Sequence, residues 1–301
     1  MDTNILLESG TNELEILEFI IGGKHYGINV AKVREILTIQ EITPIPNSHP
    51  CIEGIFMPRD TIITVVNLIR ALGFDEAECD NNMLIVTNFN NLNIAFIVDR
   101  VIGIHRVSWT DIVKPDSTVN TPGSAVATGI IKHMDNLVIV LDFEKIVEDI
   151  CPETGLRISE IDNLGERERN TIPVLVAEDS PLLTQLIHDS LMKAGYTNIT
   201  MTANGQEAWD KLCTLKRTNG VDYGCKVLIT DIEMPMMDGH RLIKLIREDN
   251  ALQHIPIVIF SSLINDDMRR KGERLGADRQ ISKPEIGSLV TILDELIQER
   301  V

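Results

Sequence analysis

The sequence predicts two domains of different classes, an all-β domain over residues 12–150 and a doubly wound α/β domain over residues 171–301. The chain has 301 residues, enough for two domains of ordinary size. The first half contains short, frequent strand patterns separated by turn signals. The second half contains apolar runs of four residues, each followed by a helical pattern. A polar stretch with proline and glycine, residues 151–170, is expected to be the linker between them.

The strands of the first half are predicted from short apolar segments that lie between turn residues. Segments 14–21 and 25–28 flank Gly22, Gly23 and Lys24, which is a hairpin signal. A short amphipathic stretch, residues 30–37, interrupts the strands. Further strands are expected at residues 61–66, 83–87, 93–98, 128–132 and 137–141. Strands this short and frequent indicate a sandwich or small barrels.

The second half repeats a strand followed by a helix. Strands are expected at residues 174–177, 198–202, 227–230, 257–260 and 279–282, and helices at residues 181–194, 206–216, 240–248, 266–275 and 287–300. The first helix is expected to place its leucines and isoleucine on one face, namely Leu182, Leu183, Leu186, Ile187 and Leu191. Apolar runs that do not alternate suit strands covered by helices on both faces, so a parallel sheet is expected.

The composition argues against several function classes. The formal net charge of −17 opposes binding to nucleic acid or to anionic lipid, because the long-range field repels a polyanion. No apolar run reaches the roughly 20 residues of a membrane-spanning helix. No basic region precedes an apolar run at the start, so we expect no secretory signal. Five widely spaced cysteines without a CxxC pair indicate reduced cytoplasmic thiols.

Residues that could carry chemistry follow four of the predicted strands in the second half. They are Glu178 and Asp179 after the first strand, Asp231 after the third, Ser261 after the fourth and Lys283 after the fifth. The carboxyl ends of the strands line one edge of an open parallel sheet, and ligands bind there. We therefore expect these side chains to converge.

This predicted cluster indicates a cation and an aspartyl phosphate. Converging carboxylates repel unless a cation neutralises them, and an all-oxygen set favours Mg²⁺ or Mn²⁺. Asp231 is the best candidate for the phosphoacceptor, with Glu178 and Asp179 holding the metal. Lys283 would pair with phosphoryl oxygens, and the hydroxyl of Ser261 would donate to one of them. Each residue alone could be a helix cap, a turn former or a solvated loop residue.

Residues 172–301 resemble the receiver domains of two-component response regulators. The resemblance rests on the segments VLVAEDS (174–180), ITDIEMPMMDG (229–239), IFSS (259–262) and SKP (282–284). It implies the flavodoxin-like strand order 2-1-3-4-5 and phosphotransfer from a histidine kinase to Asp231. It also implies Mg²⁺ held by Asp179, Asp231, the backbone carbonyl of Glu233 and, through water, Glu178.

The same resemblance assigns the switch hydroxyl to Ser261, and it exposes one departure. The family often has an aromatic residue three positions before the lysine, where this chain has Gln280. A rotating aromatic side chain is therefore not expected to report phosphorylation here, and the output must be coupled in another way.

The first half resembles the CheW coupling domain of bacterial chemotaxis. The segments that carry the resemblance are residues 19–37, 52–72, 94–107 and 129–143, in that order. The resemblance implies two interlocked SH3-like five-stranded barrels that bind the chemoreceptor tip and the kinase CheA. By position, Val33, Glu35 and Arg59 match family residues at the receptor or kinase interface. Val33 could instead belong to the core, and Arg59 could be a solvated turn charge. The family usually has Arg-Gly at this turn, where this chain has Arg59-Asp60.

Other polar and aromatic residues of the first half indicate no site. The histidines His25, His49, His105 and His133 are scattered along the chain and lack ligand spacing. Trp109 and Phe96 are expected to belong to the core.

A CheW-like domain followed by a receiver domain is the domain order of the CheV chemotaxis proteins. Residues 5–14 of this chain also resemble the start of that family. The resemblance implies a cytoplasmic adaptor, not an enzyme, located at receptor arrays on the inner membrane face through protein contacts. It would couple chemoreceptors to CheA, and phosphorylation of Asp231 would regulate the coupling in adaptation. Two alternatives stay open: a phosphate sink for CheA, and a magnesium-dependent phosphohydrolase with Glu233 as its acid–base group.

Overall fold

The computed structural model describes residues 12–74, 80, 82–89, 92–115, 126–152, 167–218, 220–283 and 285–300. Residues 14–152 form one compact unit, the first unit, and residues 167–300 form the second unit. Residues 1–11, Pro284 and most of the predicted linker (153–166) lie outside the described residues, so the domain boundaries stay predictions. Within the described ranges, no helix combines the length and the apolarity needed to cross a bilayer.

The first unit contains, in its described residues, two five-stranded β-sheets. Its strands are β1 (Glu13–Ile21), β2 (Lys24–Asn29), β3 (Val33–Thr38), β4 (Ile52–Phe56), β5 (Ile63–Asn67), β6 (Met83–Phe89), β7 (Leu92–Val98), β8 (Arg100–Ser108), β9 (Ala127–His133) and β10 (Asn136–Leu141). The two helices are α1 (Leu68–Ala71) and α2 (Phe143–Ile150). One sheet has the order β8-β1-β2-β10-β9 and the other has the order β3-β6-β7-β5-β4.

Strand β1 is covered by apolar residues on both faces. Leu17 and Phe19 pack in the larger core that also contains the second sheet, whereas Ile16 packs in a smaller core inside the first sheet. The predicted core positions are confirmed, since Phe96 and Trp109 are both buried. Alternate residues of β1 therefore point into two different apolar interiors, and a polar residue at either face is unusual.

Residues 30–37 are a strand for most of their length, and the predicted amphipathic interruption is wrong. A 3₁₀ turn, Val30–Lys32, leads directly into β3, whose side chains alternate between half-buried and exposed as it pairs with β6. The sequence prediction also missed β4, β8 and helix α2. Gly54 and Gly103 interrupt the apolar runs of the two strands, and glycine inside a strand weakens its pattern.

The second unit has one five-stranded parallel sheet with the order β12-β11-β13-β14-β15, which is the predicted order 2-1-3-4-5. Its strands are β11 (Val174–Ala177), β12 (Ile199–Thr202), β13 (Val227–Thr230), β14 (Ile257–Ser261) and β15 (Arg279–Ser282). Its helices are α3 (Pro181–Lys193), α4 (Gly205–Arg217), α5 (Val221–Gly224), α6 (Gly239–Glu248), α7 (Asp266–Leu275) and α8 (Ile286–Arg300). The predicted two-domain fold class is confirmed.

Helix α3 differs from its prediction in the face that it buries. Ile187 and Leu191 are buried and Leu183 packs against them, which is a stripe with a spacing of four residues. Leu182 is 50% exposed, so its predicted place on the buried face is wrong. It precedes Leu183 by one position, which turns it about 100° away from the stripe. The short helix α5 was not predicted.

Candidate functional site

Three carboxylates meet at the carboxyl edge of the parallel sheet. Strands β11 and β13 are neighbours in register, with Ala177 opposite Thr230, so the residues that follow them lie side by side. The amide of Asp231 donates to the carbonyl of Ala177 at 3.0 Å. Oxygens of Glu178, Asp179 and Asp231, here called the acidic cluster, all lie within 4.8 Å of one another. The predicted convergence of these three residues is present.

Lys283 places its ammonium between two members of the acidic cluster. Its Nζ atom donates to Oδ2 of Asp231 at 2.6 Å and lies 3.1 Å from Oε2 of Glu178. The side chains of Lys283, Glu178 and Asp231 are all buried. One ammonium therefore faces two buried carboxylates, and the half-buried Asp179 stands beside them.

The acidic cluster carries more negative charge than Lys283 neutralises. Burial raises the pKa of Glu178, and the charges of Asp231 and Asp179 raise it further, although Lys283 acts in the opposite direction. Repulsion of this kind is relieved by a proton or by a bound cation. Because the donors are all carboxylate oxygens, the group fits a hard divalent cation such as Mg²⁺.

Backbone groups fix the orientation of the buried carboxylates. The amide of Ile232 donates to Oδ1 of Asp231 at 2.6 Å, and the amide of Ser180 donates to Oε1 of Glu178 at 3.2 Å. Each carboxylate thus has one oxygen held by the backbone and the other facing Lys283. This arrangement leaves the side chains few alternative rotamers, which favours a preorganised site.

The loop after Asp231 returns tightly onto it. The amide of Gly239 donates to the carbonyl of Ile232 at 3.0 Å, and a Cβ atom at position 239 would lie 1.9 Å from the carbonyl oxygen of Asp231. Only glycine fits this close approach. The carboxylate of Asp238 caps helix α6 by accepting from the amide of Arg241 at 2.7 Å. The loop is therefore fixed at one end by its packing against Asp231 and at the other by the cap of helix α6.

Two further predicted residues lie on neighbouring parts of this edge. Ser261 ends β14 and is fully buried, opposite Ser282 in β15, and its hydroxyl accepts from the amide of Leu263 at 3.3 Å. Glu233, two residues after Asp231, is half-buried. The roles that the sequence suggests for Ser261 and for the carbonyl of Glu233 stay predictions.

Gln280 ties strand β15 to helix α7, a function that the sequence did not indicate. Its side-chain amide donates to the carbonyl of Arg269 at 2.7 Å. A Cβ atom at Gly272 would lie 2.5 Å from Oε1 of Gln280, so this glycine makes room for the glutamine. The position that often carries an aromatic residue is thus occupied by a side chain hydrogen-bonded to the neighbouring helix.

The three residues suggested for the coupling interface lie in the first unit. The side chain of Arg59 is 86% exposed and approaches Glu35 at 3.8 Å, so these two predicted residues are neighbours. Arg59 and Asp60 both have positive φ, 53° and 68°, at the turn where the family has glycine. Val33 is partly buried against the larger core. Their roles in binding stay predictions.

The prediction that the histidines of the first unit are scattered is wrong for three of the four. His25, His105 and His133 surround the buried carboxylate of Glu18, and these four residues are here called the histidine cluster. The spacing of these residues in the sequence does not indicate the cluster, because its four members lie on four different strands. The available signal was Glu18 itself, an acidic residue at an inward position of an apolar strand. His49 lies elsewhere and accepts from the amide of Cys51.

Comparison with known proteins gives two family matches that together cover most of the chain. The model of the CheW-like domain matches residues 15–151, and that of the response regulator receiver domain matches residues 174–294. Chemotaxis protein CheV3 of Helicobacter pylori is 29% identical over 280 residues, which cover 88% of this chain and 89% of that protein. Chemotaxis protein CheV2 of the same organism is 29% identical over 299 residues, 91% of this chain and 92% of that protein.

A third relative matches the first unit alone. Chemotaxis protein CheW of Thermotoga maritima is 31% identical over 151 residues, which cover 50% of this chain and 98% of that protein. Its nearly complete coverage confirms the resemblance of the first half. The chain therefore belongs to the CheW family through residues 15–151 and, with its response regulator receiver domain, has the two-domain organisation of the CheV chemotaxis proteins.

Proposed function

We propose that this protein is a chemotaxis adaptor that couples chemoreceptors to the histidine kinase CheA and that phosphorylation of Asp231 regulates the coupling. The observation that carries the proposal is the buried carboxylate of Asp231, which is bracketed by Lys283 and by two further carboxylates. A structural ion pair needs one acid and one base. A surplus of buried acid is costly, and such surpluses concentrate at functional sites.

Different residues of the second unit have different roles in phosphotransfer. An oxygen of Asp231 attacks the phosphohistidine of the kinase, so that a P–O bond forms and the P–N bond breaks. Glu178, Asp179, Asp231 and the backbone carbonyl of Glu233 would hold Mg²⁺, which neutralises phosphoryl charge when bound. The ammonium of Lys283 pairs with a phosphoryl oxygen.

Phosphorylation changes what the neighbouring groups contact. In the free protein, Lys283 pairs with Asp231 and Glu178. A phosphoryl group on Asp231 adds acceptor oxygens and negative charge, which draw Lys283 and the hydroxyl of Ser261 toward it. Ser261 precedes the segment that leads to α7, and Gln280 holds the same helix. We propose that the changed position of α7 is what the rest of the signalling assembly reads.

The coupling activity is assigned to the first unit. Arg59 and Glu35 form a polar pair on its surface, with Val33 at the adjacent start of β3. We propose that this patch contacts the receptor tip or CheA, and that such contacts hold the protein at receptor arrays on the inner face of the membrane. The protein then acts as a phosphoacceptor and not as an enzyme with a turned-over substrate.

A reconstituted assembly of chemoreceptor, CheA and the full chain tests the proposal. The measurement is receptor control of CheA activity, with and without beryllofluoride as a phosphoryl mimic. Wild type is compared with Asp231→Asn and with Asp210→Asn, an exposed aspartate on helix α4. We expect beryllofluoride to change the control with wild type and Asp210→Asn, and to have no effect with Asp231→Asn.

Three results would contradict the proposal. If the chain accepts phosphoryl groups from CheA but never supports receptor control, the phosphate-sink function is the correct one. If beryllofluoride alters control equally with Asp231→Asn, the acceptor lies elsewhere. Hydrolysis of small phosphate esters at many turnovers per chain would support the phosphohydrolase instead.

A further inference from the structure

We propose that three members of the histidine cluster of the first unit, Glu18, His105 and His133, form a binding site for Zn²⁺. The site lies outside the acidic cluster and uses none of its residues. It goes beyond the proposed function, which requires no metal in this unit.

The four side chains converge from four strands of one sheet. Oε2 of Glu18 lies 2.7 Å from Nε2 of His105 and 3.3 Å from Nδ1 of His133, and Oε1 contacts Nδ1 of His25. The rings of His105 and His133 have their centroids 3.8 Å apart. Ligand atoms of Glu18, His105 and His133 all lie within 4.8 Å of one another. Three potential ligands thus point at one small volume, and His25 contacts the other oxygen of Glu18.

The centre of this cluster is a carboxylate in an apolar interior. Glu18 is 2% exposed, and its neighbours Ile16 and Ile20 on the same face of β1 are buried. Oε2 of Glu18 and Nε2 of His105 are buried, and neither has a hydrogen bond of acceptable geometry although the two atoms are close. Orphaned buried polar atoms are rare in native structures, and a bound ion is one of the few ways to satisfy them.

The donor set indicates which ion fits. Two imidazole nitrogens, from His105 and His133, and one carboxylate oxygen of Glu18 form a three-ligand set, which with one water is a set that Zn²⁺ takes in tetrahedral geometry. With bonds of about 2.0–2.1 Å, the ligand atoms of such a tetrahedron are roughly 3.3 Å apart. The separations of 2.7 and 3.3 Å need only small side-chain movements to reach this value. Magnesium is disfavoured because it prefers oxygen ligands.

The position of the cluster lets an ion enter from solvent and predicts an effect of the bound ion on stability. The three histidine side chains are each between 22% and 29% exposed, so a cation can reach Glu18 from solvent on their side. His105 is on β8 and His133 is on β9, which are the two outer strands in the order of this sheet. An ion held by both would fasten these edges together, and we expect Zn²⁺ to raise the melting temperature of the first unit.

Zinc titration of the full chain tests the proposal. The chain is stripped with a chelator and titrated with Zn²⁺ against a chromophoric competitor, in excess Mg²⁺ to saturate the acidic cluster. We expect one tight equivalent for wild type, and an affinity at least ten-fold weaker for His105→Gln and for His133→Gln. His49→Gln changes an exposed histidine of the same unit and is expected to match wild type. Asp231→Asn is also expected to retain the equivalent.

X-ray absorption of the zinc-loaded protein supplies a readout that does not depend on folding of the variants. The proposal predicts only nitrogen and oxygen neighbours, with outer-shell scattering from imidazole. Sulfur neighbours would assign the ion to cysteines and overturn the proposal. Equal affinity in all variants, or no tight binding by wild type, would also overturn it.

Discussion

The ammonium of Lys283 donates a hydrogen bond of 2.6 Å to Oδ2 of Asp231, although 52 positions separate the two residues in the chain. The contact exists because β13 and β15 end at the same edge of the parallel sheet. Lys283 also lies 3.1 Å from Glu178, so two buried carboxylates depend on one cation. The stability of the second unit and the chemistry of Asp231 are therefore linked through Lys283.

Replacing Lys283 with methionine is expected to destabilise the second unit. The substitution leaves the buried Asp231 and Glu178 without their cation, a loss that costs about 3–5 kcal/mol when one partner of a buried pair is removed. Urea denaturation without added metal measures the change. Mg²⁺ is expected to restore part of the loss, because it neutralises the same carboxylates.

Lys216→Met is the matched control for this substitution. Lys216 pairs with Asp249 at the surface, where such pairs contribute about 0–1 kcal/mol. The account of the acidic cluster is contradicted if the two methionine variants have the same stability, or if Mg²⁺ has no differential effect on Lys283→Met.

Replacing Gly239 with alanine is expected to damage both stability and phosphoryl acceptance. The added Cβ would lie 1.9 Å from the backbone oxygen of Asp231, so the loop must shift, at a cost of about 1–3 kcal/mol. Denaturation and labelling with acetyl phosphate measure the two effects. Gly103→Ala, where a Cβ meets open space, should change neither. If Gly239→Ala is labelled to the same extent as wild type, the packing of this loop does not position Asp231.

The buried His240 is expected to make the second unit less stable in acid. Burial, with a smaller contribution from Lys271, lowers the pKa of His240 from 6.5 to about 3. Between these values the unfolded chain binds a proton that the folded chain excludes. The free energy of unfolding therefore falls as pH falls below 6.5, by about 1.4 kcal/mol per pH unit.

Urea denaturation between pH 5 and pH 7 tests this effect by comparing variants. His240→Leu should flatten the pH dependence, with a difference of about 2 kcal/mol at pH 5 relative to pH 7. His254→Gln changes an exposed histidine of the same unit and should keep the wild-type slope. An unchanged slope in His240→Leu would mean that His240 is protonated in the folded state.

Replacing Arg59 with alanine is expected to weaken coupling without weakening the fold. Its side chain is exposed and its 3.8 Å approach to Glu35 is a surface interaction, so stability should change by less than about 0.5 kcal/mol. Sedimentation with receptor–CheA assemblies measures binding. Arg106→Ala, which removes a comparable surface pair with Glu15, is the control and should bind as wild type does. Equal binding by both variants would remove Arg59 from the interface.

The sequence predicted the acidic cluster because regular secondary structure is enough to assemble it. A parallel sheet places residues after each strand at one edge, so the positions of Glu178, Asp231 and Lys283 follow from strand order alone. The distances between these side chains do not follow from strand order. The dependence of two carboxylates on one lysine, and the tight return of the loop at Gly239, require the packed structure.

The histidine cluster could not be predicted in the same way. Its members lie on β1, β2, β8 and β9, and local periodicity does not predict the order of those strands in a mixed sheet in which β2 and β10 are parallel. Strand β8 itself was missed, and with it the environment of His105. Helix α2 was missed for a different reason, since its periodic signal was present: Phe143, Ile146 and Val147 are buried at helical spacing, but the interpretation of this half as all-β left them unassigned.

Phosphotransfer from CheA to the full chain tests the central claim most directly. CheA labelled with radioactive phosphate is mixed with wild type, Asp231→Asn and Asp210→Asn, each with Mg²⁺ and with a chelator. The account predicts one labelled site in wild type and Asp210→Asn with Mg²⁺, and no label in Asp231→Asn or without the metal. Equal labelling of Asp231→Asn and wild type would contradict it.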